Sequence, residues 1–280
     1  MLFPVVHMRQ LSEAVWEMGV EAPRLAARAR AGQFLMLRID EDGERIPLTF
    51  SDWSAEEGWV RFIFMRVGKT THQLAHLEVG DELVDVVGPL GVPTHVEDLG
   101  RVVVVGGGVG AAVAYPVARA MLEAGNDVRV ILGARNADLL ILEEEFSALG
   151  LTELIVTTDD GSAGRKALVT EPLKELCEAG EVDHSMAIGP AIMMKFCAAT
   201  TRDAGTPCVV SLNPIMVDGT GMCGACRVSV DGETKFGCVD GPDFDGHKVD
   251  FEELMSRQRV YIDDERVSDA EYSRGCSCHP

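Results

Sequence analysis

The sequence predicts a multi-domain chain of class β followed by α/β: an antiparallel barrel over residues 1–98, a parallel-sheet domain over 99–212, and a small cysteine-bearing domain over 213–280. Three observations predict it. Residues 1–98 read as short β-type runs broken by Gly, Pro and acidic turns, the pattern of a small antiparallel barrel. From Gly100 onward, strand-like and helix-like runs alternate, which is the pattern of a parallel sheet with crossover helices. After Asn213 the composition shifts to Gly, Cys and Asp in a segment too short for a large core, so a bound metal is expected to compensate.

Composition narrows the classes of function. A chain of 280 residues that is 46% hydrophobic can bury such cores without disulfides. Lys plus Arg number 25 against 45 for Asp plus Glu, a net charge of −20 that repels nucleic acid and anionic lipid headgroups. No nucleic-acid partner is expected. The start, MLFPVVHMRQ, lacks a basic region followed by an apolar run and a small-residue cleavage site, so a cytoplasmic location is expected. The uncharged stretch 102–118 contains Gly106, Gly107, Gly108, Gly110 and Pro116, and reads as strand, turn and helix rather than a membrane span. Eight cysteines in such a chain read as reduced thiols or metal ligands, because cytosolic reductants keep thiols free.

In the barrel segment, strands are expected at 33–39, 59–67 and 82–87. Arg45-Ile46-Pro47-Leu48-Thr49 resembles the flavin-binding motif of the ferredoxin reductase superfamily, and the stretch from Val67 to His72 resembles its second, phosphate-binding element. An arginine can contact a pyrophosphate bidentately, a turn rich in N–H groups can cradle a phosphate, and a hydroxyl can hydrogen-bond the flavin N5 edge. Arg45 is thus the candidate for the FAD pyrophosphate, Pro47 and Leu48 for the isoalloxazine edge, and Thr49, the candidate catalytic residue, for N5. Ile46, Met65, Arg66, Val67, Gly68, Thr70 and Thr71 complete the expected FAD contacts. The plain alternative is that Arg45 is a surface charge and Thr49 an ordinary strand residue; a nucleotide domain immediately downstream favours the flavin reading. His72 stays outside the set, since a histidine beside a turn is more often a satisfied surface residue.

In the second segment, strands are expected at 102–105, 128–132, 154–157, 185–188 and 208–212, with a helix over 111–124. Gly106, Gly108 and Gly110 fall between strand and helix, with Val109 among them, where a dinucleotide pyrophosphate could meet the helix N-terminus. The spacing is G-x-G-x-G, one residue short of the usual dinucleotide fingerprint. It resembles the nicotinamide domain of the ferredoxin reductase superfamily, as do Gly133-Ala134-Arg135 and Gly189-Pro190-Ala191 after later strands. Each alone also reads as an ordinary βα turn. Asp159 and Asp160 follow another strand, where carboxylates would repel a 2′-phosphate and bond ribose hydroxyls, favouring NAD(H) over NADP(H). Arg165 lies close enough in sequence to blur that preference.

The third segment carries Asp218, Cys223, Cys226 and Cys238, in the order x4, x2, x11. With Cys in place of Asp218 the first part would have plant-type 2Fe-2S spacing. A loop wrapping a small cluster needs backbone conformations that Gly219, Gly221 and Gly224 permit. A zinc knuckle or unrelated buried thiols remain alternatives, although zinc sites usually pair two short Cys-x2-Cys hooks and only one is present. Cys177, Cys197 and Cys208 sit in apolar contexts and read as small hydrophobes. Cys276, Cys278 and His279 could bind a metal, meet a partner or form a mobile end.

The stretch SLNPIMVDGTGMCGACRVSVDGETKFGCVDGPDFDGHKVDFEELM resembles the C-terminal region of the small subunits of NADH-dependent reduced ferredoxin:NADP oxidoreductase, a flavin-based bifurcating transhydrogenase. The resemblance extends over nearly the whole chain. It implies FAD, NAD(H) and one 2Fe-2S cluster held by Asp218, Cys223, Cys226 and Cys238, with a larger flavoprotein subunit carrying 4Fe-4S clusters and an NADP site as partner and ferredoxin as electron partner of the complex. The related electron-transfer subunit of dihydroorotate dehydrogenase has Cys at the first ligand position. That subunit, a sulfide dehydrogenase subunit and a non-catalytic iron-sulfur carrier are the rival readings.

Overall fold

A computed structural model describes residues 2–275; Cys276, Cys278 and His279 lie outside them. Seven strands make the first sheet: β1 (Phe3–Gln10), β2 (Val15–Glu21), β3 (Phe34–Arg38), β4 (Ile46–Ser54), β5 (Trp59–Met65), β6 (Glu82–Leu83) and β7 (Asp85–Leu90). Their order is β6-β1-β2-β5-β4-β3-β7, every pairing antiparallel, which gives a nearly closed barrel. Large apolar side chains fill it, with Met18, Leu35, Leu37, Phe50, Phe62 and Leu83 inaccessible to solvent. Two short helices flank the barrel, α1 (Pro23–Ala26) and α2 (Lys69–Ala75). The strand expected over 59–67 stops at Met65, because Gly68 turns the chain into α2. The run expected at 82–87 divides into β6 and β7. β1 and β2 went unforeseen, since their mixed exposure blurs the alternation of a barrel strand.

The second sheet follows with β8 (Arg101–Gly107), α3 (Ala111–Glu123), β9 (Asp127–Ala134), α4 (Glu143–Ser147), β10 (Glu153–Thr158), β11 (Arg165–Lys166), α5 (Thr170–Glu178), β12 (His184–Ile188), α6 (Ala191–Ala204) and β13 (Cys208–Ser211). These strands pair in parallel, and β8 at the centre is buried along its length after Arg101 because helices cover both faces. The last segment adds the hairpin β14 (Arg227–Val230) and β15 (Glu233–Phe236), then β16 (Asp243–Asp245), α7 (Phe251–Gln258) and α8 (Ile262–Gly275).

β16 joins the second sheet beside β13 as an antiparallel edge strand. The last segment therefore completes a neighbour's sheet rather than forming one around a core of its own. Val228, Val230, Phe251 and Leu254 share a core with Val210, Leu212 and Met194. Met216, Cys226 and Cys238 share another with Phe34 and Met36 of the barrel. Barrel and second sheet are likewise joined: Val15, Ala31 and Ile63 pack with α3, and Arg119 bonds Asp52 at 2.9 Å. α8 returns to the barrel, with His72 and Asp269 3.6 Å apart. Among the described residues, no helix is long and apolar enough to cross a membrane.

Candidate functional site

Where the three segments meet, a cleft of about 1100 Å³ opens. One wall is barrel: Pro47, Leu48 and Thr49 of β4 with Met65 at the end of β5. The opposite wall is built from the C-terminal ends of parallel strands, where ligands of open α/β sheets bind: Gly108, Val109 and Gly110 after β8, Gly133 and Arg135 around the end of β9, Asp159 after β10, Gly189 and Pro190 after β12. Thus residues expected to hold two different ligands face one another across one space.

Glycines play distinct parts in this wall. A Cβ at Gly106 would sit 3.1 Å from Ala111 Cα and 3.2 Å from Ala114 Cβ, so this glycine lets α3 approach β8 and does not line the cleft. A Cβ at Gly110 would meet Ile188 O at 2.4 Å and Gly189 Cα at 2.8 Å. Gly110, expected beside the pyrophosphate, is constrained first by backbone packing against the end of β12. Gly108 alone of the three has φ +54° and open space where a Cβ would go.

The two aspartates also separate. Asp160 Oδ1 accepts bonds from Ser162 Oγ at 2.6 Å and Ser162 N at 2.9 Å, which hold its carboxyl below the ordinary range, and it does not line the cleft. Asp159 does line it. Arg165 is paired bidentately with Glu175 at 2.6 and 2.7 Å and approaches Glu171 at 3.5 Å, outside the cleft. Its guanidinium is thus paired with Glu175 on the surface, away from Asp159.

Toward the expected flavin phosphates, Arg45 Nη2 donates to Asp85 Oδ2 at 3.3 Å, beside the shorter bond from Arg38 Nε at 2.7 Å. Thr71 Oγ1 accepts from Val67 N and Gly68 N at 3.0 and 3.1 Å, so these two N–H groups of the turn close on the chain itself. Thr70 Oγ1 donates to Glu44 Oε2 at 2.9 Å. None of Arg45, Ile46, Arg66, Val67, Gly68, Thr70 and Thr71 lines the cleft. Residues that sequence reasoning missed include Phe34, Phe196, Ser211, Met216 and Gln258. None of them carried a signal in the sequence: the exposure of Phe196 on α6, 54%, is visible only in the fold, and the others come into place through long-range packing.

Behind Phe34 and Met216 lies the cysteine loop. Gly219, Gly221 and Gly224 have φ of +74°, +85° and +69°, the left-handed turns expected of them. A Cβ at Gly219 would strike Met36 Cγ at 2.7 Å and Leu90 Cδ1 at 2.9 Å, so the loop packs directly onto the barrel. Cys226 and Cys238, each 2% exposed, bring their sulfurs to 3.1 Å as free thiols. Burial pushes the Cys238 thiol up to about 12, with the neighbouring Cys226 adding to it. Cys223 is exposed, and its sulfur accepts a bond from Ala225 N at 3.5 Å. Asp218 accepts from Thr220 N and Cys223 N, both at 2.8 Å, and the Thr220 bond is the main cause holding its carboxyl below the usual range.

Among the described residues, no three His, Cys, Asp or Glu side chains gather as ligands around one point. The donor chemistry fits an iron-sulfur cluster nonetheless: two converging thiols, a third whose sulfur already accepts a peptide N–H, and a carboxylate, around a loop of left-handed glycines. Metal binding would release the Cys238 proton that burial favours.

Residues 104–199 match the oxidoreductase NAD-binding domain family, and residues 213–250 match the iron-sulfur cluster binding domain of dihydroorotate dehydrogenase B. The chain is 49% identical, over 94% of its length and 93% of the relative's, to a homologue of the dihydroorotate dehydrogenase B electron transfer subunit from Thermotoga maritima. It is 33% identical to the electron transfer subunit itself from Geobacillus thermodenitrificans, over 88% of this chain and 96% of that one. Among solved structures, a chain of the NADH-dependent reduced ferredoxin-NADP oxidoreductase, described for flavin-based electron bifurcation, matches with TM-score 0.91, 48% identity and 98% coverage of both chains. A cytochrome P450 reductase from Amycolatopsis shares the fold at TM-score 0.62 and 19% identity, over 73% of this chain and 66% of that one. The chain therefore belongs to the family of dihydroorotate dehydrogenase B electron-transfer subunits and their homologues, in which an oxidoreductase NAD-binding domain is joined to an iron-sulfur cluster binding domain.

Proposed function

We propose that this chain is the small, electron-transferring subunit of a flavin-based oxidoreductase complex that works in NADH-dependent ferredoxin:NADP oxidoreduction. The observation that carries the reading is the single cleft in which β4 faces the ends of β8, β9, β10 and β12, with the cysteine loop packed behind Phe34 and Met216. When bound, FAD would take a hydride from NADH and release electrons singly to a 2Fe-2S cluster, a conversion neither of the other groups can perform.

Each residue then has a task. Thr49 would offer its hydroxyl to the N5 edge of the flavin, and Pro47, Leu48 and Met65 would pack against the ring. Arg45, 50% exposed at its side chain, would exchange its surface pair with Asp85 for the flavin pyrophosphate. Gly108 would leave room for the dinucleotide pyrophosphate, Asp159 would bond the ribose hydroxyls, and Gly189 and Pro190 would border the nicotinamide. With Arg165 tied to Glu175, a 2′-phosphate would find the Asp159 carboxylate without that cation, which favours NAD(H). Cys223, Cys226, Cys238 and Asp218 would hold the cluster.

The reading includes a cytoplasmic complex with a larger flavoprotein that bears 4Fe-4S clusters and an NADP site, ferredoxin being the electron partner. Its domains would be 1–98 for FAD, 99–212 for NAD(H) and 213–280 for the cluster. A second reading, an electron-transfer subunit serving a dihydroorotate dehydrogenase, is favoured by the names of the relatives above; copurification of the native complex separates the two by the identity of the large subunit. For the cofactors, the isolated chain is expected to bind about one FAD and about two irons, and NADH should bleach the flavin near-stoichiometrically. A flavin-loaded preparation reduced by NADPH and not by NADH would overturn the assignment.

A further inference from the structure

The peptide group between Gly224 and Ala225 lies between two of the loop cysteines and is engaged at both ends. Its carbonyl oxygen accepts a bond from Arg227 Nη1 at 3.0 Å, while its N–H donates to Cys223 Sγ at 3.5 Å. The next carbonyl, that of Ala225, accepts from Arg257 Nη2 at 3.1 Å. Arg227 opens β14 and Arg257 lies in the last turn of α7, so two separate elements aim guanidinium groups at consecutive carbonyls of one hook. Among the described residues, neither arginine forms an ion pair, although acidic residues outnumber basic ones 45 to 25. Two cations that leave so many carboxylates unused and bond loop carbonyls instead call for a reason.

We propose that Arg227 is a positioning residue that tunes the iron-sulfur site: it polarises the Gly224–Ala225 peptide, strengthens the N–H bond to the Cys223 sulfur, and so raises the reduction potential of the cluster. Hydrogen bonds in series reinforce one another, and a donor attached to a cationic group is stronger than a neutral one; Arg227 and Cys223 are both exposed, so solvent screens the pair and the relay runs through the bonded peptide itself. Reduction adds an electron that is shared with the cluster sulfurs, so donors to sulfur and nearby positive charge both stabilise the reduced form. In a chain of net charge −20 the background field works against reduction, and the guanidinium groups of Arg227 and Arg257 offset it locally. Arg257 acts in the same direction more weakly, because the Ala225 carbonyl that it bonds belongs to the peptide whose N–H is that of Cys226, which among the described residues makes no bond to sulfur.

The inference rests on the cluster assignment proposed above, and the test keeps the two apart. Full-length wild type and Arg227→Met, Arg227→Gln, Arg227→Lys and Arg257→Met are titrated by EPR-monitored potentiometry, with iron content and flavin midpoint read from the same preparations. Arg227→Met is expected to lower the cluster midpoint by an amount equivalent to about a tenfold shift in the oxidised-to-reduced ratio, about 59 mV for a one-electron couple. Gln should fall between Met and wild type, Lys closest to wild type, Arg257→Met should shift less than Arg227→Met, and the flavin midpoint should stay fixed. Equal cluster midpoints across the Arg227 variants at unchanged iron content would overturn the proposal, as would a flavin midpoint that moves in parallel. Should the Met variant lose its iron, Gln against Lys decides: both can bond the carbonyl and only Lys keeps the charge, so a lower midpoint in Gln supports the proposal and equality overturns it. A wild type with FAD and no 2Fe-2S signal would remove the cluster assignment instead.

Discussion

Asp218 closes a turn and is proposed as a ligand, two roles that a sequence cannot separate. Its carboxylate closes the glycine turn through bonds from Thr220 and Cys223, and it occupies the first position of a 2Fe-2S ligand spacing. Had it only capped the turn, an amide would have been expected to serve as well. In the structure each carboxylate oxygen accepts one N–H, and an asparagine offers a single acceptor oxygen, so it can keep only one of the two bonds. Asp218→Asn is therefore expected to loosen the loop and shift the cluster midpoint, Asp218→Ala to make the cluster labile, and Asp218→Cys to retain a cluster with altered potential. EPR-monitored titration of the three variants checks this. Asn and Cys variants with spectra and midpoints equal to wild type would remove Asp218 from the ligand set. At the same scale, Asp159 and Asp160 are adjacent and chemically identical, and only the Ser162 bonds that turn Asp160 away from the cleft tell them apart.

The turn between β8 and α3 shows how an element divides labour among residues of one type. The G-x-G-x-G spacing was legible, and it does mark a cleft wall built from strand ends. Which glycine faces the cleft was not legible, because that depends on the distance to β12, more than seventy residues further along. Gly110→Ala would push a Cβ into the backbone of Ile188 and Gly189, and overpacking of this kind typically costs about 1–3 kcal/mol. Thermal or urea unfolding should register that loss. Gly108→Ala meets no neighbouring atom and carries the left-handed strain of φ +54°, of order 1–2 kcal/mol, with its methyl in the space proposed for the dinucleotide. Its expected signature is weaker NADH affinity with flavin and iron contents retained. Wild-type affinity in Gly108→Ala would remove this turn from the pyrophosphate site.

At the scale of the whole molecule, Asp243 shows how the three segments are held. It lies on β16, the strand that the last segment lends to the second sheet, opposite Ser211. Thr94, in the connection after the barrel, donates to its Oδ2 at 2.7 Å, while its buried Oδ1 has no partner. Burial pushes this carboxyl up from its ordinary 3.8 to about 6, against the bond from Thr94 and the nearby Ser211 hydroxyl, which lower it. The sign follows: the folded chain favours the protonated form, so the contribution to stability is full below about 4 and is lost as pH rises through about 6. At neutral pH the charged group weighs against the fold by at most about 3 kcal/mol. Asp243→Asn keeps an acceptor for Thr94 and removes that charge. It should raise the melting temperature at pH 7.5 and have little effect at pH 4 (roughly the ordinary carboxyl range). A melting temperature unchanged at pH 7.5 would mean that the carboxyl is not held in this way.

By itself the sequence determined the order of the parts: a barrel, then a parallel sheet with its glycine turn, then a cysteine hook in a loop of left-handed glycines. Each of these is written in local spacing, because turns need Gly at particular positions, strands and helices have fixed periods, and ligands for one cluster must lie within reach of a short loop. Only the tertiary structure decided that the last segment has no separate core, that β16 finishes the second sheet, and that Cys226 and Cys238 pack against Phe34 and Met36 of the barrel. It also decided that Arg165 is held by Glu175 and that Arg227 reaches Gly224 O. These outcomes depend on surfaces meeting across the chain, and partner choice among exposed charges follows from packing geometry, which carries no period along the sequence.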